Sequence, residues 1–178
     1  MTPSEISKIQ SYLRKVNADE SARNPMVSAV RGDDSVRAGD QRVQAMTAEI
    51  VDVAGAPLTH AETGTTFGIR IGIRAAEEVL GPNVRVALQH DSGTLLTMLS
   101  NHRWGVDFGV VSGDHTVSIG VTDNPLLPGR YRAHIDIFDH TGAKLLDSWN
   151  DAVEFAVRSP RGEIGQGLVE LPVEITFD

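Results

Sequence analysis

The 178-residue sequence contains no cysteine, only 5% aromatic residues, and sixteen Lys and Arg against 24 Asp and Glu. Without cysteine it has neither disulfides nor thiolate metal sites, and a reducing compartment fits. The resulting net charge of −8 works against nucleic acid, whose backbone is bound by concentrated positive charge. It works equally against an anionic membrane surface. No apolar run approaches the roughly 20 residues needed to span a bilayer. The start, Met1-Thr2-Pro3-Ser4-Glu5-Ile6, lacks the basic-then-apolar order of a secretory signal, so the expected location is cytoplasmic.

Catalytic signatures are missing as well. No Gly-x-x-x-x-Gly-Lys-[Ser/Thr] loop is present, so this chain is expected not to be an ATPase. His90, His102, His115 and His134 lack the short spacing of zinc ligands, and no metal or other cofactor is expected. Asp33, Asp34, Asp139 and Asp147 are available to calcium, but nothing in the sequence draws them to one point. Asp91 and Asp136 are the pair to weigh for a glycosidase, which needs two carboxylates at a defined separation. Their surroundings read as exposed. No Ser-His-Asp or Cys-His arrangement stands out.

What is present is alternation. Tyr131-Arg132-Ala133-His134-Ile135-Asp136-Ile137, entered through Leu127-Pro128-Gly129, puts apolar and polar residues on opposite faces of a strand. The same period runs through Val43 to Asp52, Phe67 to Arg74, Val84 to Asp91, Val117 to Val121, and Val153 to Arg158. Ser92-Gly93 turns the chain into Thr94 to Leu99. Residues 100–113 are irregular, and a last strand is expected around Val169 to Phe177. Gly68 and Gly72 interrupt the Phe67 strand. That is costly unless the sheet bends or something approaches the backbone closely.

Residues 1–40 have a different character. Ile6, Ile9, Leu13 and Val16 recur at helical spacing, and Val30 to Asp40 is polar and glycine-bearing. The expected architecture is all-β: a short N-terminal helix and linker over 1–40, then an immunoglobulin-like antiparallel β-sandwich over 41–178.

In such a sandwich the Val84 and Tyr131 strands are neighbours, with Arg85, Gln89 and Asp91 beside Arg132, His134 and Asp136 on the outer face. A band of donors and acceptors suits sugar hydroxyls as readily as it suits plain solvation. Trp104, next to His102 and Arg103, is either a lid on the core or a ring-stacking platform. Tyr131 and Trp149 read as core packing.

The order of these features resembles the C-terminal carbohydrate-binding domain of the ATP-binding subunit of O-antigen polysaccharide ABC exporters, the Wzt type. The matching pieces are Arg42-Val43, Ala48 to Gly55, Gly64 to Ile71, and Pro82 to Leu88. Leu127-Pro128-Gly129-Arg130-Tyr131-Arg132-Ala133-His134-Ile135, Asp151 to Val157, and Gly165 to Leu171 carry the most weight, with the match covering about three quarters of the chain. Their order and spacing are specific; each piece alone is not.

The resemblance implies non-catalytic recognition of the end of a lipid-linked O-antigen polysaccharide on the cytoplasmic side before export. It implies a homodimer with an exchanged C-terminal strand, working beside a nucleotide-binding domain and a transmembrane subunit. The rival expectation is a structural or adhesin-like sandwich that contacts protein.

Overall fold

The fold is described from a computed structural model over residues 29–30, 37–162 and 166–172. Among the described residues, nine strands form two sheets. The first contains β1 (Ala29–Val30), β2 (Val43–Val51), β4 (Phe67–Leu80) and β7 (Val110–Val121), in the order β1-β2-β4-β7. The second contains β3 (Ala61–Glu62), β9 (Leu145–Arg158), β8 (Gly129–Phe138), β5 (Asn83–His90) and β6 (Leu95–Ser100), in the order β3-β9-β8-β5-β6. Every ladder is antiparallel except the two-residue β3, which runs parallel to β9. A single 3-10 turn at His102–Trp104 is the one helical element among the described residues.

Alternation explains the core. Phe67, Ile69, Ile71 and Ile73 of β4 face Val84, Val86, Tyr131, Ala133, Ile135 and Ile137 of β5 and β8, and all are buried. Burying a side chain of this size stabilises by about 1.5–3 kcal/mol relative to leaving it wet. At one end, Phe155 lies between Phe67 and Tyr131, with ring centroids 5.7 Å from each. The Tyr131 hydroxyl donates to the Leu127 carbonyl at 2.6 Å, so this buried ring keeps a polar partner. Burial pushes its pKa up to about 12.

Several expectations change at the element ends. β7 begins at Val110, inside the stretch read as irregular, because the long β4 pairs Leu80 with Val110 across a bulge. Likewise β9 starts at Leu145, and Trp149 is a buried strand residue opposite Ile135. Of the expected final strand, Val169 makes an isolated bridge to Leu126, while Val169 and Leu171 are exposed. Residues 173–178, like the expected N-terminal helix, lie outside the described residues.

Of the two glycines in β4, Gly72 has a local reason. Gly72 donates its N–H to Thr47 Oγ1 at 3.1 Å, and an added Cβ would collide with that hydroxyl. Residues 39–41 are laid against β9: Gln41 donates to the Leu146 carbonyl at 2.7 Å. Gly39, at φ 98, leaves no room for a Cβ beside the Leu146 backbone.

Candidate functional site

The outer face of the five-stranded sheet is built by register. Arg85 lies opposite Asp136, Ala87 opposite His134, and Gln89 opposite Arg132. Residues directly opposed share a face, so these side chains point away from the core together. Asp91 follows β5, and its N–H is held by the Arg130 carbonyl at 2.9 Å. Its carboxylate takes Arg132 Nη2 at 2.6 Å.

Ala87 occupies the middle of this face. Its same-face neighbours are Met98 on β6, His134 on β8, and Arg85 and Gln89 two residues either side. A methyl group surrounded by four longer side chains makes the floor of a shallow depression. Met98 supplies an exposed apolar flank, and His134 with Gln89 a polar one.

The polar flank has a fixed direction. The Asp151 N–H can only donate, and it lies 2.9 Å from His134 Nδ1. That nitrogen is therefore the acceptor, and the proton of the neutral imidazole sits on Nε2. From there it is given to Gln89 Oε1 at 2.9 Å, which leaves Gln89 Nε2 to donate to the Gly93 carbonyl at 2.7 Å. Each group holds the next in one orientation.

Arg132 is the hub of charge. Besides Asp91, its Nε lies 3.5 Å from Glu154 and 3.9 Å from Asp151. Arg130 also approaches Glu154, at 3.6 Å. These ion pairs are partly exposed, so they contribute modest stability and leave lone pairs open to a ligand. Asp151 reaches this position because β9 is irregular between the Trp149–Ile135 and Val153–Ala133 pairs, and its φ is 50°. An L-residue rarely adopts that region, and aspartate tolerates it better than most.

Arg85 and Asp136 share the face but serve its other end. Arg85 covers the Phe138 ring at 4.0 Å and donates to the Gly142 carbonyl at 3.3 Å. Asp136 accepts from Ser148 Oγ at 2.6 Å. Asp91 is level with Arg130, six residues along β8 from Asp136. At about 3.3 Å per residue, that puts their backbone positions roughly 20 Å apart, and each carboxylate is tied to its own partner. Glycosidase pairs work at about 5–9.5 Å, so these two do not form one.

Trp104 is elsewhere. It ends the 3-10 turn after β6, is 59% exposed, and has the Arg103 guanidinium 5.3 Å over its ring. It borders a groove of about 500 Å³ between the β6 and β7 edges of the two sheets. Leu99, Val106, Phe108, Val117 and Ile119 are among its lining, which contains no charged residue. Six of the residues singled out from sequence thus share one face, and the seventh marks a separate concavity.

Ala87, Met98, Asp151 and Glu154 were missed. Ala87 falls in the outward register of its strand and was legible; Asp151 is not, because an irregularity in β9 breaks the period that would have placed it. Among the described residues, no three His, Asp or Glu side chains gather as metal ligands. Asp139 instead closes its own turn, accepting from Thr141, Ala143 and Lys144. Asp147 is spent on the scaffold, accepting from the Ala45 N–H.

Solved structures place this architecture. A crystal structure of the C-terminal domain of wzt superposes with a TM-score of 0.72 at 12% identity, covering 83% of this chain and 90% of that one. A Niemann-Pick type C2 protein from Japanese carpenter ant gives a TM-score of 0.44 at 8% identity, covering 70% and 97%. No curated relative matches the sequence. The family model of the Wzt C-terminal domain matches residues 34–171, from before β2 to beyond the Leu126–Val169 bridge. This chain belongs to the Wzt C-terminal domain family.

Proposed function

We propose that this chain is a non-catalytic glycan-binding module, an immunoglobulin-like sandwich that recognises the terminal portion of a lipid-linked O-antigen polysaccharide for ABC-transporter export. Family membership supports the exporter setting. The observation that carries the site is the convergence of Gln89, Asp91, Arg132 and His134 beside the Ala87 depression. A sugar needs an apolar patch for its ring C–H groups and nearby oriented donors and acceptors for its hydroxyls. Met98 and Ala87 offer the first, and the Arg132–His134–Gln89 network the second.

On this reading the domain works on the cytoplasmic side, beside a nucleotide-binding domain and a transmembrane subunit. Two copies form a homodimer, with the exchange of a C-terminal strand that the family resemblance implies. Pairing two weak sites raises the effective affinity for a repetitive glycan. Calorimetric titration with O-polysaccharide fragments from the source organism tests the function. Arg132→Ala and His134→Ala are expected to lose binding while circular dichroism stays unchanged. Unaltered affinity in both variants places the site elsewhere.

A second reading, contact with protein, is favoured by the uncharged groove and its exposed Trp104 and Val106. Trp104→Ala separates the two. If it leaves glycan affinity intact but abolishes self-association in sedimentation, the groove is an interface.

A further inference from the structure

We propose that the Ala87 face selects an uncharged sugar, and that Asp151 is its specificity-determining residue; this rests on the glycan-binding reading above. The argument starts from what surrounds Arg132. An acidic sugar or a phosphorylated terminus needs a guanidinium with a free edge. Here Arg132 is shared by the carboxylates of Asp91, Glu154 and Asp151, at 2.6, 3.5 and 3.9 Å. A second guanidinium on the same strand, that of Arg130, is itself 3.6 Å from Glu154. Across this cluster three carboxylates meet two guanidinium groups, so an incoming anion finds its counter-charge already matched. The chain as a whole adds a net charge of −8 to that repulsion.

A pair of vicinal hydroxyls meets the opposite situation. Each hydroxyl donates to a carboxylate oxygen, and that step leaves the ion pairs intact. Asp151 holds the critical place. Its carboxylate lies between Arg132 Nε and His134 Nδ1, at 3.9 and 3.8 Å. Its side chain is 47% exposed at the rim of the depression, where a ligand can reach it. Its backbone stands at φ 50°, a conformation that glycine would adopt at no steric cost. An aspartate at this position places a carboxylate where glycine would place none. The backbone N–H to His134 would survive in glycine, so what is lost is the carboxylate.

The test compares three forms of the whole chain by calorimetry and thermal unfolding. The probes are a neutral oligosaccharide and a uronic-acid oligosaccharide of the same length. Native protein is expected to prefer the neutral probe. Asp151→Asn, which keeps the tolerance for positive φ, is expected to weaken the neutral probe about tenfold, as loss of a charge-assisted hydrogen bond does. The same variant should bind the acidic probe about fivefold tighter, the effect of removing one charge about 4 Å away in water. Asp151→Gly should repeat both changes with a melting temperature equal to or higher than that of the native chain.

Equal or better binding of the acidic probe by native protein overturns the selectivity. An unchanged probe ratio in Asp151→Asn removes Asp151 from the role. A fall of more than about 4 °C in Asp151→Gly makes the residue structural. If native protein binds no oligosaccharide at all, the glycan-binding reading fails and this inference goes with it. Loss of selectivity with binding retained overturns the inference alone.

Discussion

Asp147 on β9 reaches across the sandwich and accepts the backbone N–H of Ala45 on β2 at 2.8 Å. The two residues belong to different sheets. Ala45 sits where the β2–β4 register slips, so a carboxylate takes a donor at an irregular point of the ladder. Both residues are buried. Asp147→Ala strands that N–H away from water and is expected to cost about 2–3 kcal/mol. Urea unfolding measures it, and a loss below about 0.5 kcal/mol would show that the link is dispensable.

Tyr131 gives the protein an alkaline limit. Its hydroxyl is buried, bonded to the Leu127 carbonyl, and raised from 10.0 to about 12. A raised pKa means that the folded state holds the proton more tightly than the unfolded one. The associated stability is complete below pH 10 and declines as pH rises toward 12. Tyr131→Phe should lose about 1 kcal/mol at neutral pH and show a flatter decline above pH 10. An equally steep decline in the variant would assign it to other groups.

Asp40 sets part of the acid limit. Its carboxylate bonds Lys144 at 2.6 Å and Arg42 Nε at 2.9 Å. Chiefly through Lys144, its pKa falls from 3.8 to about 2. For a lowered pKa the sign reverses: the stability is present above pH 3.8 and is lost as pH falls toward 2. Asp40→Asn is expected to unfold with a shallower pH dependence over that interval. Identical acid titrations of the two proteins would contradict the assignment.

Ala87→Leu fills the depression without touching any hydrogen bond of the face. Ala87 is half-buried and points outward, so stability should change by no more than about 0.5 kcal/mol. Glycan affinity should fall about tenfold or more, because a side chain occupies the ring's place. Retained affinity would move the sugar away from Ala87.

Much of this was readable from the chain. Alternation in Tyr131 to Ile137 placed Arg132, His134 and Asp136 on one face, and the β5–β8 register confirms the neighbours assigned to them. The carboxylate pair Asp91 and Asp136 was set aside for its exposure, and register adds separation as the stronger reason. Trp104, read from sequence as either a lid on the core or a ring-stacking platform, stands at the edge groove, away from the polar face. A loop residue has no period to follow, so its side chain goes where the connection between sheets carries it.

Two-residue periodicity, set by the geometry of the extended backbone, is a local property; it determined that strands form and which side of each meets the core. The partners of each strand, the slip in β9 that turns Asp151 toward Arg132, and the open seam between β6 and β7 were settled only by folding. Those features depend on which edges meet and where one strand gains residues over its neighbour, two in the case of β9 against β8. They are long-range outcomes of packing, and no stretch of a dozen residues encodes them by itself.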